Sequence, residues 1–164
     1  MSEQQHEYFV KASPPYTEER PSSLWRRLGE EWEYLSLMDW EWHNVKDTTV
    51  KTPPATEVLC SVTAERATEL EADRQVFVRY WARYTNEQYW REGQSPTTVV
   101  RRRRSPEGKL DEVFRRNGSW GPTDAIFEFF DPRPSNPPYL VEITADDAEA
   151  LLQELRGVTG ATDL

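Results

Sequence analysis

The chain has 164 residues, with 29 acidic side chains against 20 basic ones and a formal net charge of −9. This length suits one ordinary domain or two small ones, and the excess of acidic groups opposes attraction to nucleic-acid phosphates. The chain has a single cysteine, Cys60, which excludes an intramolecular disulfide. No apolar run approaches the roughly 20 residues that span a bilayer, and the first residues lack the parts of a signal peptide. A cytoplasmic location is therefore expected.

Segments of the sequence recur in order, at an offset that grows along the chain. Phe9-Val10-Lys11 returns 68 positions later as Phe77-Val78-Arg79, the segment 22–27 returns 75 positions later as 97–102, and the segment 59–67 returns 81 positions later as 140–148. A duplicated module whose second copy gained insertions would produce this pattern.

The predicted fold class is α+β, as a tandem duplication of a small antiparallel-sheet module. Each copy is expected to hold three to four strands closed by a C-terminal helix, with a pseudo-two-fold relation between the copies like that in a fused homodimer. Because one copy alone would have a thin core, the two are expected to share a core within a monomer. The predicted organisation is a flexible tail at 1–6, a first repeat at 7–74, a second repeat at 75–156 and a C-terminal tail at 157–164.

Runs of aromatic and β-branched residues predict three strands early in the first copy. These are Tyr8–Ala12, Ser23–Leu28 and Trp32–Trp42. In the third, the even positions are mostly aromatic, and strand alternation would place that whole face, Met38 included, in the core.

Both copies are predicted to end with an apolar strand followed by a helix. Thr63 and Thr144 are expected to cap the helices, because a threonine followed within three positions by an acidic residue is typical of a helix start. Gly157 is expected to end the second helix. The predicted elements are strands at Val58–Val62 and Tyr139–Ile143 and helices at Ala64–Arg74 and Ala145–Leu155.

The second copy is otherwise less regular than the first. Strands are predicted at Val76–Ala82 and Thr97–Arg104. A third strand around Glu112-Val113-Phe114 matches the first copy only loosely, with Trp120 aligned to Trp40. The apolar segment Ala125–Phe130 predicts an extra strand.

The run from Arg101 to Arg104 has two interpretations. It could bind phosphates beside stacking aromatic rings, or it could pair across a hairpin with Glu107, Asp111 and Glu112. The first copy carries Arg26-Arg27 before a similar acidic stretch, so the sequence favours internal pairing.

Other candidate chemistry is weaker. Asp39, Glu41 and His43 would share one strand face and could hold a divalent metal, although a solvated face is the favoured interpretation. Cys60 is predicted to be a buried structural thiol. The sequence contains no glycine-rich phosphate loop, nucleophile elbow or zinc-protease motif. We therefore expect neither an enzyme nor a cofactor.

The leading hypothesis is a non-enzymatic protein-interaction or regulatory module with an unknown protein partner. Tryptophan and tyrosine are the residue types that anchor interfaces. An immunity or antitoxin-like role is one form suggested by small size and acidity. The alternative is a nucleic-acid-binding module using the central block 74–116, which holds eleven basic against five acidic residues. The candidate binding residues are Trp25, Trp81, Tyr84, Tyr89, Trp90, Arg101 and Arg103.

Overall fold

Ten strands form two five-stranded antiparallel sheets in the computed structural model, which describes residues 5–47, 59–131 and 136–164. The first sheet has the order β4-β3-β2-β1-β5 and the second has the order β10-β6-β7-β8-β9. The α+β class is confirmed, with larger sheets than predicted. The strands of the first sheet are β1 (Glu7–Lys11), β2 (Ser23–Leu28), β3 (Glu31–Leu35), β4 (Trp42–Asn44) and β5 (Leu59–Val62).

The second sheet and four α-helices complete the described regular structure, together with two short 3-10 turns at Val45–Asp47 and Arg74–Phe77. The strands are β6 (Val78–Tyr84), β7 (Thr98–Ser105), β8 (Gly108–Phe114), β9 (Trp120–Pro122) and β10 (Tyr139–Ile143). The helices are α1 (Ala64–Ala72), α2 (Glu87–Arg91), α3 (Ala125–Phe130) and α4 (Ala145–Arg156). Within the described ranges, no helix has the length and apolar character needed to cross a membrane.

The chain divides into two compact units. The first comprises Met1–Phe77 and Arg103–Lys109, and the second comprises Val78–Arg102 and Leu110–Leu164. The turn of the β7–β8 hairpin therefore belongs to the first unit, where Leu37 donates its amide to Ser105 Oγ at 3.2 Å. The predicted repeat limits stay a prediction, and residues 1–4 of the predicted N-terminal tail lie outside the described residues.

The first unit has apolar clusters on both faces of its sheet, because successive strand side chains point to opposite sides. On one face, Val10, Leu24 and Leu35 pack with Ala67 and Leu70 of α1. The opposite cluster consists of Trp25, Tyr34, Val45 and Leu59, with Phe9 and Trp32 packed against them.

The second unit likewise buries side chains on both faces of its sheet. Trp81, Val100 and Leu140 pack with Ala125 and Ile126 of α3. Ala148 and Leu152 of α4 are fully buried as well, and α4 lies against β6.

The helix boundaries agree with the sequence signals. Thr63 Oγ1 accepts the amide of Arg66 at 3.1 Å, and Thr144 Oγ1 accepts the amide of Asp147 at 3.1 Å. Gly157 ends α4 in the left-handed conformation, with φ of 67°, which costs glycine little. The two predicted caps and the predicted stop are confirmed. Val58, the first residue of one predicted strand, lies outside the described residues.

The predicted single strand Trp32–Trp42 is wrong, because a turn divides it. Ser36 donates its amide to Glu41 O at 2.9 Å, and Trp40 donates its amide to Ser36 O at 2.8 Å. Trp40 adopts a left-handed φ of 63°, a conformation that L-residues adopt at a cost. Met38 lies in this turn and is 39% exposed, so it is not a core residue.

The predicted strand Ala125–Phe130 is also wrong, since this segment forms α3. A short apolar run does not distinguish a strand from a buried helix. The burial pattern follows helical spacing: Ala125 and Ile126 are buried, whereas Phe127 and Phe130, three residues apart, are exposed.

Candidate protein-interaction surface

The predicted binding aromatics separate into buried and exposed groups. Trp25 and Trp81 are 2% and 5% exposed, so they belong to the two cores. Tyr84 is half-buried at the end of β6. Tyr89 and Trp90 of α2 are 46% and 39% exposed. Among the predicted binding aromatics, the α2 pair alone offers substantial area to a partner.

The arginine run makes internal contacts. Arg101 donates from Nε to Glu112 Oε1 at 3.0 Å, and its guanidinium lies 4.0 Å from the ring centroid of Trp120. Arg102 binds both carboxylate oxygens of Asp111, at 2.8 and 2.9 Å. Glu112 and Asp111 are two of the three carboxylates that the internal interpretation names, and fork-shaped Arg–carboxylate contacts are among the strongest hydrogen bonds in proteins.

Arg103 is also directed inward. It donates from Nη1 to the carbonyl oxygen of Leu37 at 3.3 Å, and its guanidinium lies 5.9 Å from the ring centroid of Trp40. Arg101 and Arg103 are both less than a tenth exposed. Phosphate groups bind to cations that solvent can reach, so neither side chain is placed to meet a nucleic acid.

Two of the three weak metal candidates contact each other, but the three do not form a group that could hold a metal ion. Asp39 Oδ2 lies 2.6 Å from His43 Nε2, while Asp39 Oδ1 accepts the backbone amide of Glu41 at 2.9 Å. Burial raises the pKa of Asp39, but the hydrogen bonds from Glu41 and His43 and the charge of His43 outweigh it, so the pKa is lowered overall. The described part of the chain contains no group of three or more His, Cys, Asp or Glu side chains that could hold a metal ion.

Cys60 is half-buried in β5. A hydrogen bond with Glu18 raises the pKa of the thiol, and burial and the Glu18 charge raise it further. The thiolate is the reactive form of cysteine, so this site is unsuited to nucleophilic chemistry.

Aromatic rings on three elements of the second unit form a connected, solvent-facing patch. Trp90 of α2 stacks on Tyr139 at 4.7 Å between centroids, Phe129 meets Tyr139 edge-on at 5.5 Å, and Phe130 meets Phe129 at 5.1 Å. Phe127 and Phe130 are 51% and 61% exposed. We define the aromatic surface as these four linked rings together with the two exposed rings close to them in sequence, namely Tyr89, Trp90, Phe127, Phe129, Phe130 and Tyr139.

Local hydrogen bonds stabilise α2, whose Trp90 ring stacks on Tyr139 of β10. Asn86 caps the helix, since its Oδ1 accepts the amide of Tyr89 at 3.0 Å. Glu87 and Arg91 pair one turn apart at 2.6 Å, which supports such a short helix.

A cleft of about 370 Å³ lies beside the aromatic surface. Its size falls in the range of small ligand-binding pockets. One side is polar and the other is aromatic and proline-rich, and the cleft lies at the N-terminal end of β10. Its lining residues are Asn86, Glu87, Gln88, Phe129, Asn136, Pro137, Pro138 and Tyr139.

Sequence reasoning identified Tyr89 and Trp90 and missed the other four members of the aromatic surface. Phe127, Phe129 and Phe130 were assigned to a strand, which hid their helical spacing. Tyr139 was placed correctly as the first residue of its strand, but its contact with Trp90 is between residues 49 positions apart and has no local signal.

Comparison with known proteins adds no functional assignment. The sequence matches no protein-family model and no curated protein, and the fold matches no solved structure.

Proposed function

We propose that this protein is a non-enzymatic protein-interaction module whose second half carries the binding surface. The observation that carries the proposal is the connected aromatic surface, which leaves large rings of α2 and α3 in contact with solvent. Exposed apolar patches of this kind mark interaction sites, and large aromatic side chains contribute most of the binding energy at many interfaces.

We further propose that the two sheets descend from one duplicated module. Counted in chain order within each sheet, the strands of both have the order fourth, third, second, first, fifth. The hydrogen bonds at the start of the second strand are also alike in the two sheets. Lys11 O accepts the amide and hydroxyl of Ser22 at 2.9 and 3.1 Å, and Arg83 O accepts the same two groups of Thr97 at 2.7 and 3.1 Å.

A second set of contacts supports the duplication. Arg26 donates to Glu33 at 2.9 Å and lies 4.1 Å from the ring centroid of Trp42. In the second sheet, Arg101 makes the same two contacts with Glu112 and Trp120, at 3.0 and 4.0 Å. Each sheet therefore has an arginine in its second strand that contacts a carboxylate in the third strand and an indole ring in the fourth.

These equivalences revise the sequence alignment. They match Trp120 with Trp42 instead of Trp40, and Lys11 with Arg83 instead of Arg79. The offset of the first strand becomes 72 positions in place of 68. The pseudo-two-fold relation between the halves stays a prediction.

The α2 part of the aromatic surface is a difference between the two halves. The connection between β1 and β2, residues 12–22, contains no helix, whereas the connection between β6 and β7 contains α2. Tyr89 and Trp90 therefore have no counterpart in the shared sheet architecture. Side chains that the common fold does not require, and that remain exposed, are best explained by binding.

The charges around the aromatic surface indicate the chemistry of the partner. Helix α2 contains Glu87 and is followed directly by Glu92, and α3 contains Glu128. The two helices contain one basic residue, Arg91. An acidic rim around an apolar centre complements a segment that carries apolar anchors beside Lys or Arg. We propose a protein partner with such a segment.

The proposal can be tested by quantitative capture from the native host. The double variant Trp90→Ser/Phe130→Ser should lose at least nine-tenths of a specifically captured partner. Met38→Ser is the matched control, because Met38 is an equally exposed apolar side chain of the first unit, and it should capture as the wild type does. Unchanged capture by the double variant, with unchanged thermal unfolding, would refute the aromatic surface as the binding site.

A further inference from the structure

The outer edge of β10 has backbone hydrogen-bonding groups that meet no other strand in the described part of the chain. β10 ends the order of the second sheet, with β6 on its inner side. Arg83 O accepts the amide of Thr97, so the backbone groups of Arg83 face β7. Because backbone direction alternates along a strand, Tyr80, Ala82 and Tyr84 face β10.

The register then identifies the outward residues. Tyr80, Ala82 and Tyr84 pair with Ile143, Val141 and Tyr139. Leu140 and Glu142 therefore direct their N–H and C=O groups away from β6. Beyond them lies no further strand of the described residues, so this edge can accept one.

The five described residues of β10 carry few of the sequence features that protect an edge strand. The strand has no proline inside it and one charge, Glu142. That carboxylate is held in a fork by Arg79, at 2.9 and 3.0 Å from Nη2. By comparison, β4 and β9 have three residues each, and β9 ends in Pro122. Short strands and prolines are recognised means of blocking edge pairing.

The free edge is continuous with the aromatic surface and the cleft. Tyr139 is the first residue of β10, a member of the aromatic surface and a lining residue of the cleft. A strand added to β10 would bring its side chains beside these rings. In strand addition, backbone hydrogen bonds supply affinity and adjacent pockets supply side-chain selectivity.

We propose that the partner binds as an extended segment that adds a sixth strand to the second sheet, along β10. The inference rests on the proposed function and specifies how that site holds its partner. The backbone N–H and C=O groups of Leu140 and Glu142 bond the segment, and the cleft receives a side chain at one end.

The test uses the full chain and peptides selected on it from a random phage-displayed dodecamer library. Glu142→Pro removes one outward N–H and leaves the inward bonds of β10 in place. Glu142→Ala is the matched control, since it loses the same contact with Arg79 and keeps the N–H. The selected peptides should bind Glu142→Ala within threefold of wild type and Glu142→Pro at least tenfold more weakly, with both variants folded by circular dichroism.

Two further measurements isolate backbone pairing. Two N-methylated versions of a selected peptide are compared, one methylated at the odd positions and one at the even positions. One version should lose binding and the other should keep it, because only alternate amides of a strand face its neighbour. Peptide binding should also slow hydrogen exchange at the amides of Leu140 and Glu142 at least tenfold.

Several results would overturn the inference. Equal affinity of Glu142→Pro and Glu142→Ala would do so, as would failure to select any peptide. In size-exclusion chromatography, the wild-type chain is compared with Glu142→Pro. If wild type elutes as a dimer and Glu142→Pro as a monomer, the β10 edge pairs with a second copy of the chain and not with a partner segment. If peptides lose affinity for Trp90→Ser but bind Glu142→Pro and Glu142→Ala equally, the aromatic surface remains the binding site and strand addition is wrong.

Discussion

The two Arg–Glu–Trp contacts allow a prediction in which burial is the main variable. Arg101 with Glu112 and Arg26 with Glu33 have nearly the same geometry, at 3.0 and 2.9 Å. Their exposures differ: the side chains of the first pair are 7% and 14% exposed, and those of the second pair are 22% and 26% exposed. Removing one partner leaves the other charge uncompensated, which costs more where water cannot reach it.

We expect Glu112→Ala to lower the free energy of unfolding by about 3 kcal/mol, at the lower end of the cost of breaking a buried ion pair. Glu33→Ala should lower it by about 1 kcal/mol, near the upper end for exposed pairs. For a chain of this length these values correspond to losses of about 9 °C and about 3 °C in Tm. Urea unfolding at pH 7, followed by tryptophan fluorescence, measures the free energies.

A double substitution separates charge burial from general damage. Arg101→Met/Glu112→Leu should unfold within about 1 kcal/mol of wild type, because replacing both charges leaves neither uncompensated. Raising the salt concentration to about 1 M should weaken the contribution of Glu33 more than that of Glu112, since buried pairs are less screened. Equal losses for Glu112→Ala and Glu33→Ala, or a double variant as unstable as Glu112→Ala, would refute the reasoning.

Three further predictions concern the C-terminal segment, the cysteine and the arginine run. Burial raises the pKa of Glu149, but hydrogen bonds from the residues 160–162 lower it overall, so Glu149→Gln should cost about 1 kcal/mol at pH 7. That cost should begin to shrink as the pH falls below the ordinary Glu value of 4.5 and should disappear once the pH is below the lowered pKa of Glu149 in the folded protein, because wild type then loses the stabilisation of the ionised form; an undiminished cost at pH 3 in urea titrations would contradict this. Cys60 should react with iodoacetamide more slowly than a free thiol at pH 8, and Glu18→Gln should increase the rate; a rate that Glu18→Gln leaves unchanged would exclude the Glu18 contact as the cause. Because the run Arg101–Arg104 is paired internally at 101–103, fluorescence anisotropy with single-stranded and duplex oligonucleotides should detect no binding at about 50 mM salt, and binding that weakens steeply with salt would restore the nucleic-acid alternative.

Local signals were sufficient for the starts of α1 and α4, for the glycine that ends α4 and for two strands, whereas α1 ends at Ala72, two residues before its predicted end. Thr63 and Thr144 cap through their own side chains, and Gly157 is the residue type that a left-handed C-terminus favours, so neighbours in sequence determine these features. Ser23–Leu28 and Tyr139–Ile143 were predicted with their observed bounds.

The failures arise where one pattern fits two structures. Alternating aromatic residues continue from Trp32 to Trp42 across the turn, which depends on the Asp39 side chain accepting an amide and on Trp40 adopting a positive φ. Neither glycine nor proline marks that turn. Likewise, the segment Ala125–Phe130 has too few residues for apolar spacing alone to separate a strand from a helix.

For the candidate site, the sequence predicted which residue types bind a partner but not which of those residues are exposed. Trp25 and Trp90 are equally plausible anchors by composition, but Trp25 lies on a strand face whose neighbours are apolar, and Ser23 Oγ accepts its indole N–H at 2.8 Å. The exposure of Trp90 depends on a five-residue helix and a long-range contact with Tyr139. Only the folded chain determines these differences.

The assignment of Arg103–Lys109 to the first unit means that the chain passes between units three times, after Phe77, after Arg102 and after Lys109. A fragment ending at Phe77 would lack Ser105 and Glu107, whose side chains hydrogen-bond with Leu37 and Ser36. The first 77 residues are therefore not a complete folding unit, because part of that unit lies after Arg102. A cut after Phe77 would separate residues 103–109 from the rest of the first unit, so any fragment meant to keep that unit whole has to include the β7–β8 turn.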